Sequence, residues 1–179
     1  MNQDATMFLI ICSALVLFMT PGLAFFYGGL VRASSVVSMM MMSFGSLGLI
    51  GVLWIVYGYA ISFANGSDNG FIGIDSVFGI SPGKLFMNDA LDAAKGGDGF
   101  PFAFAGFQGT FAIITVALIS GAIADRAKFG SWMIFAGIWA TLVYFPVASW
   151  VFNFTVNDGE IVAGGWLVHE IGVLDFAGG

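Results

Sequence analysis

Charge is scarce in this chain. Of its 179 residues only 9% are Asp, Glu, Lys or Arg, against roughly 25% in an ordinary soluble domain. A water-facing exterior needs such residues, so a soluble fold is excluded and the surface must meet something apolar, ordinarily lipid. Basic residues are scarcer still, five in all. No nucleic-acid partner is expected from so few. One cysteine, Cys12, excludes an internal disulfide and leaves the redox compartment unspecified. It lies in an apolar run and reads as a small buried residue, not a reactive thiol. One histidine, His169, has only Glu160 and Glu170 near it in sequence. That is no convincing metal site, and His169 reads as a solvated surface residue. No metal and no cofactor is expected.

What the chain has instead is long apolar runs, over residues 5–31, 36–63, 101–124 and 129–154. Each exceeds the roughly 20 residues needed to cross a hydrocarbon core of about 30 Å. None holds an Asp, Glu, Lys or Arg. Helix is the state that satisfies every backbone group in lipid without a partner strand. The spacing therefore predicts an all-α polytopic membrane protein, with four spans and a fifth helix opening at Asp175. The first run is expected to be a permanent span and not a cleaved signal peptide. Asp4 is the only charge before it, and it outruns an h-region of about 7–15 residues.

Between the second and third runs, residues 64–100 are rich in Gly, Asp, Asn and Ser. They read as an exposed loop with one short helix over 88–94. The other two linkers are short and basic: Arg32 in one, Arg126 and Lys128 with Asp125 in the other. The positive-inside rule is most reliable for short linkers, so both are expected in the cytoplasm. The N-terminus, the 64–100 loop and residues 155–174 are then expected outside, in a multi-pass protein of the cell membrane. Gly45, Gly48 and Gly51, and the pair Ala117 and Gly121, are small residues at spacings that let helices approach closely in lipid. Pro21 within the first run is expected to kink it.

Chemistry-bearing residues are few. The spans hold no titratable side chain of the kind that proton pumps and ion-coupled carriers bury, which argues against a membrane enzyme. Phe104, Phe107 and Phe111 recur at i, i+3 and i+7 and share one face of the third run, with Gln108 beside them. On spacing alone this stripe reads as packing sooner than as a pore lining.

Several segments add a resemblance. Phe18-Met19-Thr20-Pro21-Gly22-Leu23-Ala24-Phe25-Phe26-Tyr27-Gly28-Gly29-Leu30-Val31-Arg32 is similar to the first helix of the ammonium transporter (Amt/Mep/Rh) family. Leu53-Trp54-Ile55-Val56-Tyr57-Gly58-Tyr59 resembles its second helix. Phe107-Gln108-Gly109-Thr110-Phe111-Ala112-Ile113-Ile114-Thr115, continuing to Gly121-Ala122-Ile123-Ala124-Asp125-Arg126, resembles its third. Asp175-Phe176-Ala177-Gly178-Gly179 resembles the opening of its fifth. The motifs stand in the family's order from end to end, with a flavour of the bacterial, actinobacterial members.

The resemblance implies an eleven-helix protomer, a homotrimer when complete, and ammonium or ammonia as the substrate. It also implies a cytoplasmic PII-type regulator as a partner. An outer vestibule would recruit ammonium. Two stacked phenylalanines would gate an apolar pore, and a histidine pair deeper in it would handle the proton. Phe107 then matches the vestibule phenylalanine, and Phe111 the upper gate phenylalanine, also substrate-contacting. Asp175 matches the structural aspartate that caps helix five. Phe152 aligns where the family usually has a vestibule tryptophan. This is a departure, since phenylalanine holds a cation less well. Residues 153–164 form an insertion between it and Trp166, and either Trp150 or Trp166 could take the tryptophan's place. The histidine pair, the second gate phenylalanine and the other half of the family's inverted repeat have no match in these residues. The chain is accordingly expected to be an N-terminal portion of a transporter and inactive alone. The alternatives are a non-conducting membrane fragment or an ammonium sensor.

Overall fold

The computed structural model describes residues 3–64, 73–74, 78–157, 160–169, 171–173 and 175. Four helices long and apolar enough to cross a membrane dominate it: Gln3–Leu30, Ala33–Ser62, Phe100–Ile123 and Phe129–Phe152. At 1.5 Å per residue the first would be about 42 Å long, more than the hydrocarbon core requires. The helix runs through Pro21 without interruption. The fold is thus all-α across the membrane, with two small hairpins at its edges.

The first and second spans are joined by a tight turn in which the Ser35 N–H bonds to the Arg32 carbonyl at 2.8 Å. The third and fourth are joined through Asp125, which adopts a left-handed backbone (φ 61°). These two turns lie at the same end of the bundle. Tyr27, close to the first turn, donates to the Leu118 carbonyl at 3.0 Å and fills the space beside Gly121. At the other end Gly99 approaches Thr6, so the spans alternate in direction.

The core is made by helices locking large rings into gaps left by small residues. A Cβ on Gly121 would sit 2.6 Å from the Tyr27 ring, and one on Gly58 2.6 Å from the Phe145 ring. One on Gly109 would sit 2.7 Å from the Trp54 ring, and one on Gly45 2.8 Å from the Met133 sulfur. Among the described residues, nothing lies within 4 Å of a Cβ built on Gly48. Trp132 closes the seam between the second and fourth spans. It is buried and donates to the Met42 carbonyl at 3.0 Å. The first span buries only Thr20, Ala24 and Gly28, and the third buries residues along most of its length.

Two spans contain π-helical turns, Trp54–Gly58 in the second and Ala140–Tyr144 in the fourth. The Tyr59 N–H reaches back to the Trp54 carbonyl, and the Phe145 N–H to the Ala140 carbonyl. The two widened turns face each other. Tyr57 and Thr141 share a hydroxyl–hydroxyl bond of 2.7 Å, and the Tyr57 and Phe145 rings meet edge-on at 5.8 Å.

At the end opposite the tight turns, the loop after the second span folds back over the helix ends. The Lys84 ammonium donates to the Phe63 carbonyl at 2.5 Å and the Asn153 amide to the Ala64 carbonyl at 2.6 Å. The first satisfies a carbonyl that a helix C-terminus leaves unpaired, and the second one just beyond the helix end. The short helix is Asn88–Lys95. The fourth span stops at Phe152, two residues before the expected end. The chain then enters a hairpin of Phe154–Asn157 paired antiparallel with Glu160–Gly164. A short helix, Trp166–His169, follows. Gly165 is pressed so closely on the Ser149 and Trp150 carbonyls that any side chain would strike backbone. The expectation for His169 concerns a side chain outside the described residues. So does the body of the fifth helix, of which only Asp175 is described.

Candidate functional site

The third span carries the candidate residues on the face turned away from its densest packing. It begins at Phe100 with Pro101 in its first turn, where the missing N–H costs nothing. Ala105, Gly109, Ala112, Val116 and Ala117 line the buried side, and their small size is what brings neighbouring helices close.

The phenylalanine stripe divides. Phe104 leaves it for the core. Its ring lies 5.5 Å from that of buried Phe63 in an edge contact, and it packs against the main apolar cluster. Phe107 and Phe111 turn to each other, with ring centroids 4.9 Å apart and planes at 87°. Both are half-buried. In such an arrangement the positive edge of one ring rests on the negative face of the other. The contact itself therefore covers one face of one ring and neither face of the other. The turn between them is fixed by Thr110, whose hydroxyl donates to the Phe107 carbonyl at 2.6 Å.

Phe152, the third candidate, is half-buried and packs against the core cluster. Among the described residues no ring contact joins it to Phe107 or Phe111. The two tryptophans near it pair with each other, Trp150 against Trp166 at 5.7 Å. The chain brings Trp166 there by pairing Phe154–Asn157 with Glu160–Gly164, the Gly165 N–H closing on the Asn153 carbonyl at 2.8 Å. Asp175 is exposed and near enough to act electrostatically on the Tyr144 phenol, which also hydrogen-bonds Thr115 of the third span. The backbone donors that Asp175 was expected to cap lie outside the described residues.

Sequence reasoning passed over Trp54 as a site residue. Its indole is 4% exposed, donates to the Ala105 carbonyl at 3.0 Å and lies against Gly109. Both residues flank the Phe107 position. A lone tryptophan in an apolar run carries no spacing signal. The available clue was Gly109 in the middle of the third run, since a mid-helix glycine usually marks a close approach.

Aromatic faces at the end of an apolar bundle can hold a cation weakly and can exclude water. Among the described residues no group of three His, Cys, Asp or Glu side chains converges as a metal site would.

Comparison with known proteins gives a consistent answer. The model of the Ammonium Transporter Family matches residues 7–179. A Mycobacterium tuberculosis protein named "Ammonium transporter" is 48% identical over 183 residues, covering 97% of this chain and 38% of that protein. A Bacillus subtilis protein of the same name is 41% identical, covering 100% of this chain and 40% of that one. Among solved structures, the crystal structure of Candida albicans Mep2 superposes with a TM-score of 0.76 at 31% identity. It covers 99% of this chain and 35% of that one. The chain thus spans well under half the length of the relatives it matches.

Proposed function

The chain belongs to the Ammonium Transporter Family, and on that premise we propose that it forms part of a transmembrane ammonium/ammonia channel-transporter. In this reading Phe107 and Phe152 belong to an outer aromatic vestibule that recruits ammonium. Phe111 is the upper gate of an apolar pore that passes ammonia. The observation that carries the reading is the edge-to-face pair of Phe107 and Phe111, held half-buried on the third span while Phe104 above them turns into the core.

Magnitudes decide what these rings can do. A cation on an aromatic face gains about 0.5–1 kcal/mol when exposed and about 2 kcal/mol when desolvated. Taking a bare ammonium-sized charge into an apolar interior costs on the order of tens of kcal/mol by Born estimates. Aromatic rings therefore recruit the ion at a wet entrance but do not carry it through a dry channel, so a proton is parted from ammonia below them. The residues that part it belong to the rest of the transporter, which acts as a channel and not as an enzyme. The protein sits in the cell membrane with its N-terminus outside. It works as a homotrimer when complete, with a PII-type regulator as a cytoplasmic partner.

The test uses a complete transporter carrying this segment. Phe107→Ala is expected to reduce discrimination for ammonium over potassium by about three- to tenfold, the worth of about 1 kcal/mol of cation–π contact. Phe111→Ala is expected to change the maximal rate more than the apparent KM. If both variants keep wild-type affinity, selectivity and rate, the pair is packing and the site assignment fails.

A further inference from the structure

We infer that Trp54 is a positioning residue for the aromatic pair, acting through the backbone of the third span; the inference rests on the vestibule reading of Phe107 and Phe111. The indole N–H donates to the Ala105 carbonyl at 3.0 Å, in a buried setting. In a regular helix that carbonyl already accepts the N–H of the residue four along, Gly109. A carbonyl oxygen has two lone pairs, so the indole takes the second one without breaking the helix. Gly109 makes this possible. A Cβ there would lie 2.7 Å from the indole Cδ1 and 2.8 Å from Nε1, so only glycine lets the N–H edge of the ring come this close to the helix at that turn.

Helical geometry then sets what the clamp controls. At about 100° per residue, Ala105 and Gly109 lie within about 40° of each other, and Phe107 and Phe111 project from nearly the opposite side of the same two turns. Trp54 bears on the back of the segment whose front carries the pair. Its bond to one particular carbonyl fixes both the rotation of the span about its axis and its height against the second span. A hydrophobic contact could fix neither, because dispersion has no direction. The indole cannot easily shift in response. Its ring is wedged edge-on against Phe63 at 6.3 Å, lies 5.9 Å from Phe145, and stands at the start of the π-helical turn Trp54–Gly58. The ring contacts of Trp54 are with Tyr59, Phe63 and Phe145, whereas Phe107 and Phe111 contact each other, so its role is the setting of the pair's direction.

A double-mutant cycle in a complete transporter carrying this segment tests this. Trp54→Phe keeps a ring and removes the donor. It is expected to raise the apparent KM for ammonium and lower ammonium-over-potassium discrimination by about three- to tenfold, the usual worth of one buried hydrogen bond, with little change in the maximal rate. The same substitution in a Phe107→Ala, Phe111→Ala background is expected to have no further effect, because nothing is left to aim. A merely structural tryptophan would lower assembly and rate equally in both backgrounds, and that result overturns the inference. Should Trp54→Phe fail to assemble, Gly109→Ala takes its place, pressing the indole off the carbonyl, with the same expected dependence on Phe107 and Phe111. Silence of Trp54→Phe and Gly109→Ala with a clear effect of the two phenylalanine variants overturns the inference alone. Silence of the phenylalanine variants themselves overturns the vestibule reading and the inference with it.

Discussion

At Gly58 the absent side chain is replaced by a ring from another helix. A Cβ there would lie within 2.6–3.0 Å of three atoms of the Phe145 ring, a ring that is itself fully buried between Trp54 and Tyr57. The ring has nowhere to retreat, so Gly58→Ala should cost about 1–3 kcal/mol as overpacking, in spite of alanine's better helix propensity. Gly48→Ala meets nothing within 4 Å and should be neutral or stabilising by about 0.5–1 kcal/mol. Thermal unfolding of the detergent-solubilised complete transporter carrying each variant checks the contrast, and equal midpoints for the two would remove the ring-in-gap account of the core. The sequence distinguished neither glycine, because spacing shows that a residue is small but not what stands opposite it. The stripe of Phe104, Phe107 and Phe111 shows the same limit. Its shared face follows from spacing, whereas the capture of Phe104 by Phe63 depends on a partner 41 positions away in the chain. Trp54 was hidden for that reason too, since its partner Ala105 lies in a different span.

The spanning helices were the legible elements, since a stretch of apolar residues long enough to cross lipid has one stable backbone state. Their interruptions were not. Nothing in Trp54–Gly58 or Ala140–Tyr144 announces a π-helical turn, which arises where two helices must both widen to seat Phe145 and the Tyr57–Thr141 bond. The hairpin after the fourth span was read only as an insertion, although it carried a signal. Asp158-Gly159 is flanked by residues rich in β-branched side chains, a strong short-range hairpin pattern, and Asn157 indeed pairs with Glu160. The proposed direction across the membrane rests on the charges at the elements' ends. Both tight turns, with Arg32, Asp125, Arg126 and Lys128, share one end, while Asp4, Asp89, Asp92, Lys95 and Asp98 lie toward the other. Single cysteines at Ser34 and Ser131, in a Cys12→Ser background, should resist an impermeant thiol reagent applied outside. One at Lys95, exposed on the helix Asn88–Lys95, should react within minutes. Fast external labelling at Ser34 with protection at Lys95 would invert the proposed orientation.

At the scale of the whole molecule, the faces left uncovered decide what residues 1–179 can do by themselves. The first span leaves Met7, Phe8, Ile11, Leu15, Phe18, Phe25 and Phe26 more than half exposed. The fourth does the same with Ile134, Ile138 and Leu142. Such faces suit lipid or further helices. The candidate vestibule residues stand on one wall only, Phe107 and Phe111 on the third span and Phe152 at the end of the fourth, so they line no closed channel. The four spans also contain no side chain able to accept the proton that ammonium must lose in a dry pore. The cation–π gain of about 2 kcal/mol is far short of the desolvation cost, on the order of tens of kcal/mol. On the proposed reading, a wall without an opposite wall and a recruiting site without a proton acceptor would give no route for either species. Residues 1–179, reconstituted alone in proteoliposomes under an ammonium gradient, are therefore expected to give no current. Their flux should not exceed that of empty vesicles, whose passive ammonia leak is measured in parallel and subtracted. Saturable flux that Phe111→Trp abolishes would overturn this expectation, and would require a pore closed by several copies of these residues meeting through the exposed faces of the first and fourth spans.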